Sequence, residues 1–282
     1  MTTTTDIPAI ERRLELHAAP ERVWRALTDP DELSAWFGQR AHLEPRAGGD
    51  AWFEWDGHGR FNARVEVFEP PRRLHFRWGS GGGLPVDAGP TTLVEFELAP
   101  RPGGGTVLRL RESGFRREDS RWDNTGGWLH ELAELAGLVA DEPWQAGIRR
   151  TDRFAAPVER VWRAFMDPAE FRAWWGSAEP VTWEPGAGGW FAFEGHGRFA
   201  MQVERLEAPR YLAWRWSLEP GRPLDESIEV VTTEWFLEPT EDGGTNLHLL
   251  ETGFRGPDNH RENSGGWERD VIPVLRRRLE DA

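Results

Sequence analysis

The chain contains no cysteine and no lysine. Without cysteine there is no disulfide framework and no thiolate that could bind a metal or attack a substrate. All basic side chains are arginines, and 34 of them face 48 acidic residues, which gives a formal net charge of -14. Nucleic-acid-binding proteins normally present a basic face, whereas the densest arginine cluster here, 276 to 278, is typical of cations near a helix C-terminus. We therefore expect no nucleic-acid partner.

Long apolar runs are also missing. No stretch approaches 18 consecutive apolar residues, and the four threonines at positions 2 to 5 do not resemble the charged and apolar regions of a signal peptide. We therefore expect no membrane association and a cytoplasmic location. Nothing in the composition predicts an oligomeric state.

Tyrosine is almost absent, with one residue against 17 tryptophans and 15 phenylalanines. Tryptophan combines a large apolar surface with a single hydrogen-bond donor. So many tryptophans suggest that some line a cavity in addition to filling a core.

A repeat accounts for the length of 282 residues. Trp24 matches Trp162 at a separation of 138, and GHGRF at 57 to 61 returns at 195 to 199 with the same separation. The sequence ESGF at 112 to 115, followed by NTGGW, returns as ETGF at 251 to 254, followed by NSGGW. We therefore predict two domains, 8-140 and 148-282, joined by a linker at 141-147.

Within each half, the pattern predicts an α+β fold. An edge strand is followed by a helix that starts near Pro20 or Pro157, and an Asp-Pro pair begins a second short helix. Several short strands with alternating apolar residues then predict an antiparallel meander with one buried face. A last helix carries an apolar stripe in both halves. In the second half this stripe is Trp267, Val271, Val274 and Leu275, and Pro273 should kink it.

The motifs AAPERVWRALTDP, WFG, GHGRF and the GF and GGW pair give a resemblance to a known family. They are similar to those of the heat-shock-protein-90 ATPase activator homologue branch of the START and polyketide-cyclase superfamily (SRPBCC). That branch also includes the calicheamicin self-resistance protein. The resemblance implies two tandem helix-grip domains, each a curved antiparallel sheet wrapped around a long C-terminal helix with two short helices. It also implies a deep cavity, suited to an apolar or polycyclic small molecule, between the helix and the sheet.

Aromatic residues from every wall of such a cavity are the candidate ligand contacts, although core packing explains any single one better. They are Trp36, Trp52, Trp55, Trp78, Phe96, Trp122 and Trp128 in the first half, and Trp174, Trp190, Phe193, Trp214, Trp216, Trp235 and Trp267 in the second. Because Pro273 has no counterpart in the first half, we expect the two cavities to differ in shape and the first to be the less distorted.

Glu112 and Glu251 share the strand face of the buried leucines that precede them, so each carboxylate should point inward and need a partner. One interpretation is a strand-end carboxylate that is hydrated or caps backbone amides. The alternative is an acceptor for a ligand hydroxyl or amine, or an acid or base if the pKa is raised.

His58 and His196 occur in identical GHGRF contexts, where flanking glycines indicate a hairpin tip. A surface turn is one interpretation, and an imidazole that acts in catalysis is the other. No ligand spacing for a metal and no phosphate-binding or dinucleotide motif is present, so we expect no metal and no cofactor.

The leading functional hypothesis is therefore sequestration of a hydrophobic, aromatic or polycyclic small molecule, with natural-product self-resistance as the role that the resemblance suggests. One alternative is a cyclase- or hydrolase-like enzyme that uses Glu112 or Glu251. The other is a co-chaperone-type module that binds a protein.

Overall fold

The computed structural model describes residues 7–79, 83–101, 104–179, 182–225 and 227–280. The chain divides into two compact units, Met1–Ala146 and Gly147–Ala282. Each unit is α+β, with a seven-stranded antiparallel sheet and helices from both ends of its sequence, and this confirms the predicted fold class. Among the described residues, no helix is long and apolar enough to cross a membrane.

The sheet of the first unit has the strand order β1-β7-β6-β5-β4-β3-β2, so β1 is an edge strand as the sequence predicted. Its strands are β1 (Ile10–Leu16), β2 (Arg40–Leu43), β3 (Asp50–Trp55), β4 (Gly59–Glu69), β5 (Arg73–Gly79), β6 (Thr91–Pro100) and β7 (Thr106–Ser113). Its helices are α1 (Pro20–Thr28), α2 (Pro30–Leu33) and α3 (Glu118–Val139).

The second unit repeats this order as β8-β14-β13-β12-β11-β10-β9. Its strands are β8 (Ile148–Phe154), β9 (Ser177–Glu179), β10 (Gly188–Phe193), β11 (Gly197–Glu207), β12 (Tyr211–Ser217), β13 (Val230–Pro239) and β14 (Thr245–Thr252). Its helices are α4 (Val158–Met166), α5 (Pro168–Trp174), α6 (Pro257–Gly266) and α7 (Ile272–Glu280).

The Asp-Pro pairs start the second short helix in both units, as predicted. The Asp29 carboxylate accepts hydrogen bonds from the backbone N–H groups of Asp31 at 3.0 Å and Glu32 at 3.1 Å. Asp167 does the same for Ala169 and Glu170. The carboxylate thus satisfies N–H groups that a helix start leaves without partners, and proline fits the first helical position.

The last helix of the second unit is interrupted just before Pro273. A π-helical turn, Trp267–Val271, separates α6 from α7, and the N–H of Ile272 donates to the carbonyl of Trp267. Proline has no N–H and its ring crowds the carbonyl four residues back, and the turn before Pro273 is widened to the π form. The extra residue places Ile272 on the buried face, while Val271 and Val274 are only half-buried.

Strand alternation is confirmed at the end of β7, which leads to the candidate site. Thr106, Leu108, Leu110 and Glu112 all lie on the inner face and are buried. Glu112 pairs in register with Ile10 of β1 and with Val94 of β6, so its backbone has a partner strand on both sides.

Candidate functional site

Glu112 is fully buried at the end of β7, where four side chains donate hydrogen bonds to its carboxylate. Trp78 Nε1 of β5 lies 2.9 Å from Oε1, and Thr92 Oγ1 of β6 lies 2.5 Å from the same oxygen. From α3, Trp128 Nε1 donates to Oε2 at 2.6 Å, and Asn124 Nδ2 lies 3.0 Å from Oε1 and 3.2 Å from Oε2. The carboxylate therefore links three strands to the long helix.

Glu251 of β14 occupies an equivalent and equally buried position in the second unit. Oε1 accepts from Trp216 Nε1 at 3.1 Å and from Thr233 Oγ1 at 2.8 Å. Oε2 accepts from Asn263 Nδ2 at 3.1 Å and from Trp267 Nε1 at 2.9 Å. The prediction that both glutamates face the interior and need a partner is confirmed, and the partners are side chains rather than backbone amides.

The two threonines reach the carboxylate from different strand positions. Thr233 pairs directly with Glu251, but the residue that pairs with Glu112 is Val94, and Thr92 lies two positions earlier on β6. A threonine thus donates to the carboxylate in both units, but from strand positions that do not correspond. This is expected if a buried carboxylate needs its acceptor positions filled, because an unpaired buried charge is costly.

Burial raises the pKa of both carboxyl groups above the usual value of 4.5, and the surrounding donors oppose this shift without cancelling it. The donors nevertheless occupy the acceptor sites of the carboxylates, which offer about four lone-pair positions each. A ligand hydroxyl or amine could reach Glu112 or Glu251 only by displacing one of these donors.

An aromatic cluster fills the space between the inner face of the first sheet and α3. Phe37 lies at its centre, stacked on Trp128 with ring centroids 5.1 Å apart and an interplanar angle of 7°. It also contacts Phe53 at 4.7 Å, Trp55 at 5.0 Å and Trp78 at 5.8 Å. Trp36 and Phe96 extend the cluster on its buried side.

At its other edge this cluster reaches the surface. Trp55, Phe61 and Trp78 are only half-buried and contact one another at 5.5 to 6.0 Å. Glu131 of α3 borders this edge and accepts a hydrogen bond from Trp55 Nε1 at 2.8 Å. Burial is the main cause that raises the pKa of Glu131 to about 7; the neighbouring Glu134 adds to this shift, and the hydrogen bonds from Trp55 and the backbone of Gly38 oppose it.

The second unit builds its cluster from larger rings. Trp175, Trp214 and Trp235 stand where the first unit has Phe37, Phe76 and Phe96. Trp175 lies 5.3 Å from Trp214, and Trp214 lies 5.6 Å from Trp235. Each of these three residues is at most 5% exposed, yet no described protein atom accepts a hydrogen bond from its indole nitrogen. A buried donor without a partner costs about 1–3 kcal/mol.

Trp52 and Trp190 do not face the predicted cavity. On β3 the inward positions are Ala51, Phe53 and Trp55, so Trp52 points to the outer face because successive side chains alternate. There the Arg60 guanidinium lies 3.9 Å above its ring. Trp190 has the same outward position and lies beneath Arg198 at 5.1 Å.

The remaining predicted residues fall into three places. Trp174, Phe193, Trp216 and Trp267 belong to the ring cluster of the second unit. Trp122 is half-buried on α3, with the Arg121 guanidinium 4.9 Å from its ring. His58 and His196 lie in exposed turns between the third and fourth strands of their units. No group of three or more His, Asp or Glu side chains in the described ranges is placed to hold a metal ion.

Sequence reasoning missed several residues of the site. Asn124 and Asn263 begin the repeated NTGGW and NSGGW motifs, so their recurrence was a usable signal. Phe37 and Trp175 directly follow Trp36 and Trp174, which were among the candidate ligand contacts. Thr92 gives no repeat signal, because the residue of β13 at its position is Val231. Glu131 lies one helical turn after Trp128, but its raised pKa depends on burial that a sequence does not show.

The sequence matches one protein family twice, over residues 17–140 and 155–279, and that family is described as Activator of Hsp90 ATPase homolog 1-like protein. No curated protein matches the chain significantly.

Solved structures that are similar to the chain include single-unit and full-length relatives. CalU16 from Micromonospora echinospora is 27% identical, and the match covers 49% of this chain and 80% of that one with a TM-score of 0.38. The Aha1 dimer from Colwellia psychrerythraea is 22% identical over 47% of this chain and 96% of that one, with a TM-score of 0.42. DynU16, from the dynemicin biosynthetic locus, is 22% identical over 95% of this chain and 97% of that one, with a TM-score of 0.40.

Proposed function

Because the chain belongs, through both of its units, to the Activator of Hsp90 ATPase homolog 1-like family, we propose that it uses this ligand-binding fold to bind and sequester an apolar, planar small molecule. The binding surface is the aromatic cluster between the sheet and the last helix. The observation that carries the proposal is the continuity of that cluster from the fully enclosed Trp128 to the half-exposed Trp55 and Trp78.

A planar apolar guest is the ligand that such a surface stabilises best. Aromatic rings prefer offset-stacked or edge-to-face partners, and both arrangements occur around Phe37, with Trp128 stacked and Trp55 edge-on. A guest that transfers about 200 Å² of apolar surface from water gains roughly 5 kcal/mol before the costs of binding are subtracted. It enters at the half-exposed edge by replacing contacts that Trp55, Phe61 and Trp78 now make with one another.

The state of the buried glutamates favours binding over turnover. A general base must direct a free lone pair at the proton that it removes. The carboxylates of Glu112 and Glu251 instead accept from four side chains each. We therefore assign them to holding the helix on the sheet, which keeps the walls of the binding surface in place.

Intrinsic tryptophan fluorescence during titration with fluorene, a planar three-ring hydrocarbon, tests this proposal. We expect a saturable change in emission that Trp55→Ala weakens at least fivefold, because a wall of the site is lost. Trp52→Ala is the matched control, since it removes the same side chain from the same strand on the outer face. A change that never saturates, or equal weakening by both variants, contradicts the proposal.

The family resemblance extends the proposal to a biological role, which is self-resistance by sequestration of a polycyclic natural product. A sensitive bacterium that expresses the chain should tolerate a higher concentration of such a toxin than the same strain that expresses Trp55→Ala. Equal growth inhibition of both strains contradicts this role but leaves ligand binding itself intact.

One observation favours a second candidate, which is acid-base chemistry on a ligand at the same edge. Glu131 is only partly buried, its pKa is raised to about 7, and Trp55 is its one side-chain donor among the described contacts. Such a group can give or take a proton at neutral pH, which Glu112 and Glu251 are poorly placed to do. Retained turnover of a candidate substrate by Glu131→Gln would exclude this role.

A further inference from the structure

We propose that the second unit holds a ligand site of its own and that this site selects planar ligands whose ring system carries hydrogen-bond acceptor oxygens, such as ring carbonyls. The indole N–H groups of Trp175, Trp214 and Trp235 are the donors that recognise these oxygens. The inference rests on the proposed function, because it specifies the class of ligand that the aromatic clusters bind.

The three indoles differ in their hydrogen bonding from Trp174, Trp216 and Trp267, which belong to the same cluster. Trp174 Nε1 donates to the carbonyl of Ala164 at 2.8 Å. Trp216 and Trp267 both donate to Glu251. Trp175, Trp214 and Trp235 have no protein acceptor in the described part of the chain, although they are 5%, 0% and 1% exposed. Nearly all buried polar groups in proteins are satisfied, so three unpaired donors in one cluster require an explanation.

The fold does not require these donors. The first unit places phenylalanine at all three equivalent positions, and Phe37, Phe76 and Phe96 pack there in the same sheet and helix arrangement. Phenylalanine supplies a ring without a polar atom, so it fills the core without leaving a donor unpaired. The second unit thus carries three indole nitrogens that packing alone does not explain.

The three donors belong to neighbouring rings, since Trp214 contacts both Trp175 and Trp235. Trp175 follows α5, Trp214 lies on β12 and Trp235 lies on the neighbouring strand β13. The π-helical turn begins at Trp267, whose ring contacts Trp175 at 5.1 Å and Trp235 at 5.3 Å. Such turns within helices occur frequently at functional sites. A planar molecule with an edge oxygen satisfies both the apolar rings and the unpaired N–H groups.

Three probes of nearly equal size separate this chemistry from general hydrophobicity. Fluorene has no polar atom, 9-fluorenone carries one carbonyl oxygen, and carbazole carries one N–H donor. Equilibrium dialysis of the full chain should show 9-fluorenone binding about tenfold more tightly than fluorene, which is the gain expected from about one hydrogen bond. Carbazole should bind no more tightly than fluorene, because it brings a donor to a site of donors.

The decisive variant gives the second unit the residues of the first, namely Trp175→Phe, Trp214→Phe and Trp235→Phe together. It should bind 9-fluorenone and fluorene with equal affinity. Trp174→Phe is the matched control and should keep the preference, because its N–H is already bonded to the protein. If the triple variant does not fold, the single variants are measured, and at least one should weaken 9-fluorenone binding without weakening fluorene binding.

The outcomes separate this inference from the proposed function. If wild type binds all three probes equally, or if the Trp→Phe variants keep the preference, the indoles are not the recognition groups and this inference is overturned while ligand binding stands. If wild type binds none of the probes, the proposed function fails and this inference fails with it.

Discussion

The substitution Glu112→Gln probes the buried carboxylate that ties the sheet to α3 with the smallest change of shape. Glutamine keeps one acceptor oxygen and replaces the other by an NH₂ group. If the oxygen stays at the Oε1 position, it can still accept from Trp78, Thr92 and Asn124, but the NH₂ group then faces the Trp128 N–H, which lies 2.6 Å from Oε2. Two buried donors then oppose each other, and the loss of that hydrogen bond should cost about 1–3 kcal/mol.

Urea unfolding, followed by tryptophan fluorescence, measures this cost as a shift of the transition of the first unit with an unchanged dependence on urea concentration. Glu97→Gln, an exposed glutamate on the outer face of β6, is the matched control and should change the unfolding free energy by less than about 0.5 kcal/mol. Equal effects of the two substitutions would refute the structural role of Glu112.

The destabilisation caused by Glu112→Gln should depend on pH. Because burial raises the pKa of Glu112, the folded state keeps the proton at pH values where the unfolded chain has lost it. The contribution of this group to stability is fully present below about pH 4.5 and is lost as the pH rises through the folded pKa. The destabilisation by Glu112→Gln should therefore be larger at pH 5 than at pH 8.

Three further predictions concern single positions. Because the pKa of Glu131 is raised to about 7, wild type should lose about 1–3 kcal/mol more stability between pH 5 and pH 8 than Glu131→Gln does, as measured by urea unfolding at both values; equal losses would contradict the raised pKa. Gly105→Ala should cost more than about 2 kcal/mol in the same assay, because φ is +91° and the new Cβ would lie 2.2 Å from the Leu16 carbonyl oxygen. Gly104→Ala is the control and should cost only about 1 kcal/mol, because φ is +104° but no atom lies close to the new Cβ. Asp29→Ala should lower the melting temperature by the equivalent of about 1 kcal/mol, because two N–H groups at the start of α2 lose their acceptor; an unchanged melting temperature would show that the cap contributes nothing.

The fold was largely predictable because two independent periodicities agree. The separation of 138 to 140 residues between equivalent motifs identified two copies of one unit, and alternation along each strand identified the inner face. Alternation also contained a signal that the sequence interpretation did not use. Trp52 and Trp55 lie three positions apart on one strand, so they cannot both point inward.

Parts of the site could not be predicted, because they depend on distances between elements that are far apart in sequence. Thr92 and Thr233 donate to equivalent carboxylates from positions that do not correspond, so the repeat conceals them. The exchange of Phe37 for Trp175 is visible in the sequence, but that no described residue accepts a hydrogen bond from its indole N–H appears only when the surrounding atoms are placed. The π-helical turn before Pro273 is likewise not predictable. The sequence pattern indicates only that proline will disturb the helix, not which form the disturbed turn takes.

The most direct test of ligand binding in the aromatic clusters is a ¹H–¹⁵N NMR spectrum of the indole N–H groups, recorded with and without 9-fluorenone. We predict that the signals of Trp175, Trp214 and Trp235 shift on binding, because these donors gain an acceptor. The signal of Trp174, which is bonded to Ala164, should change far less. A spectrum in which all indole signals stay unchanged at saturating 9-fluorenone would contradict the account.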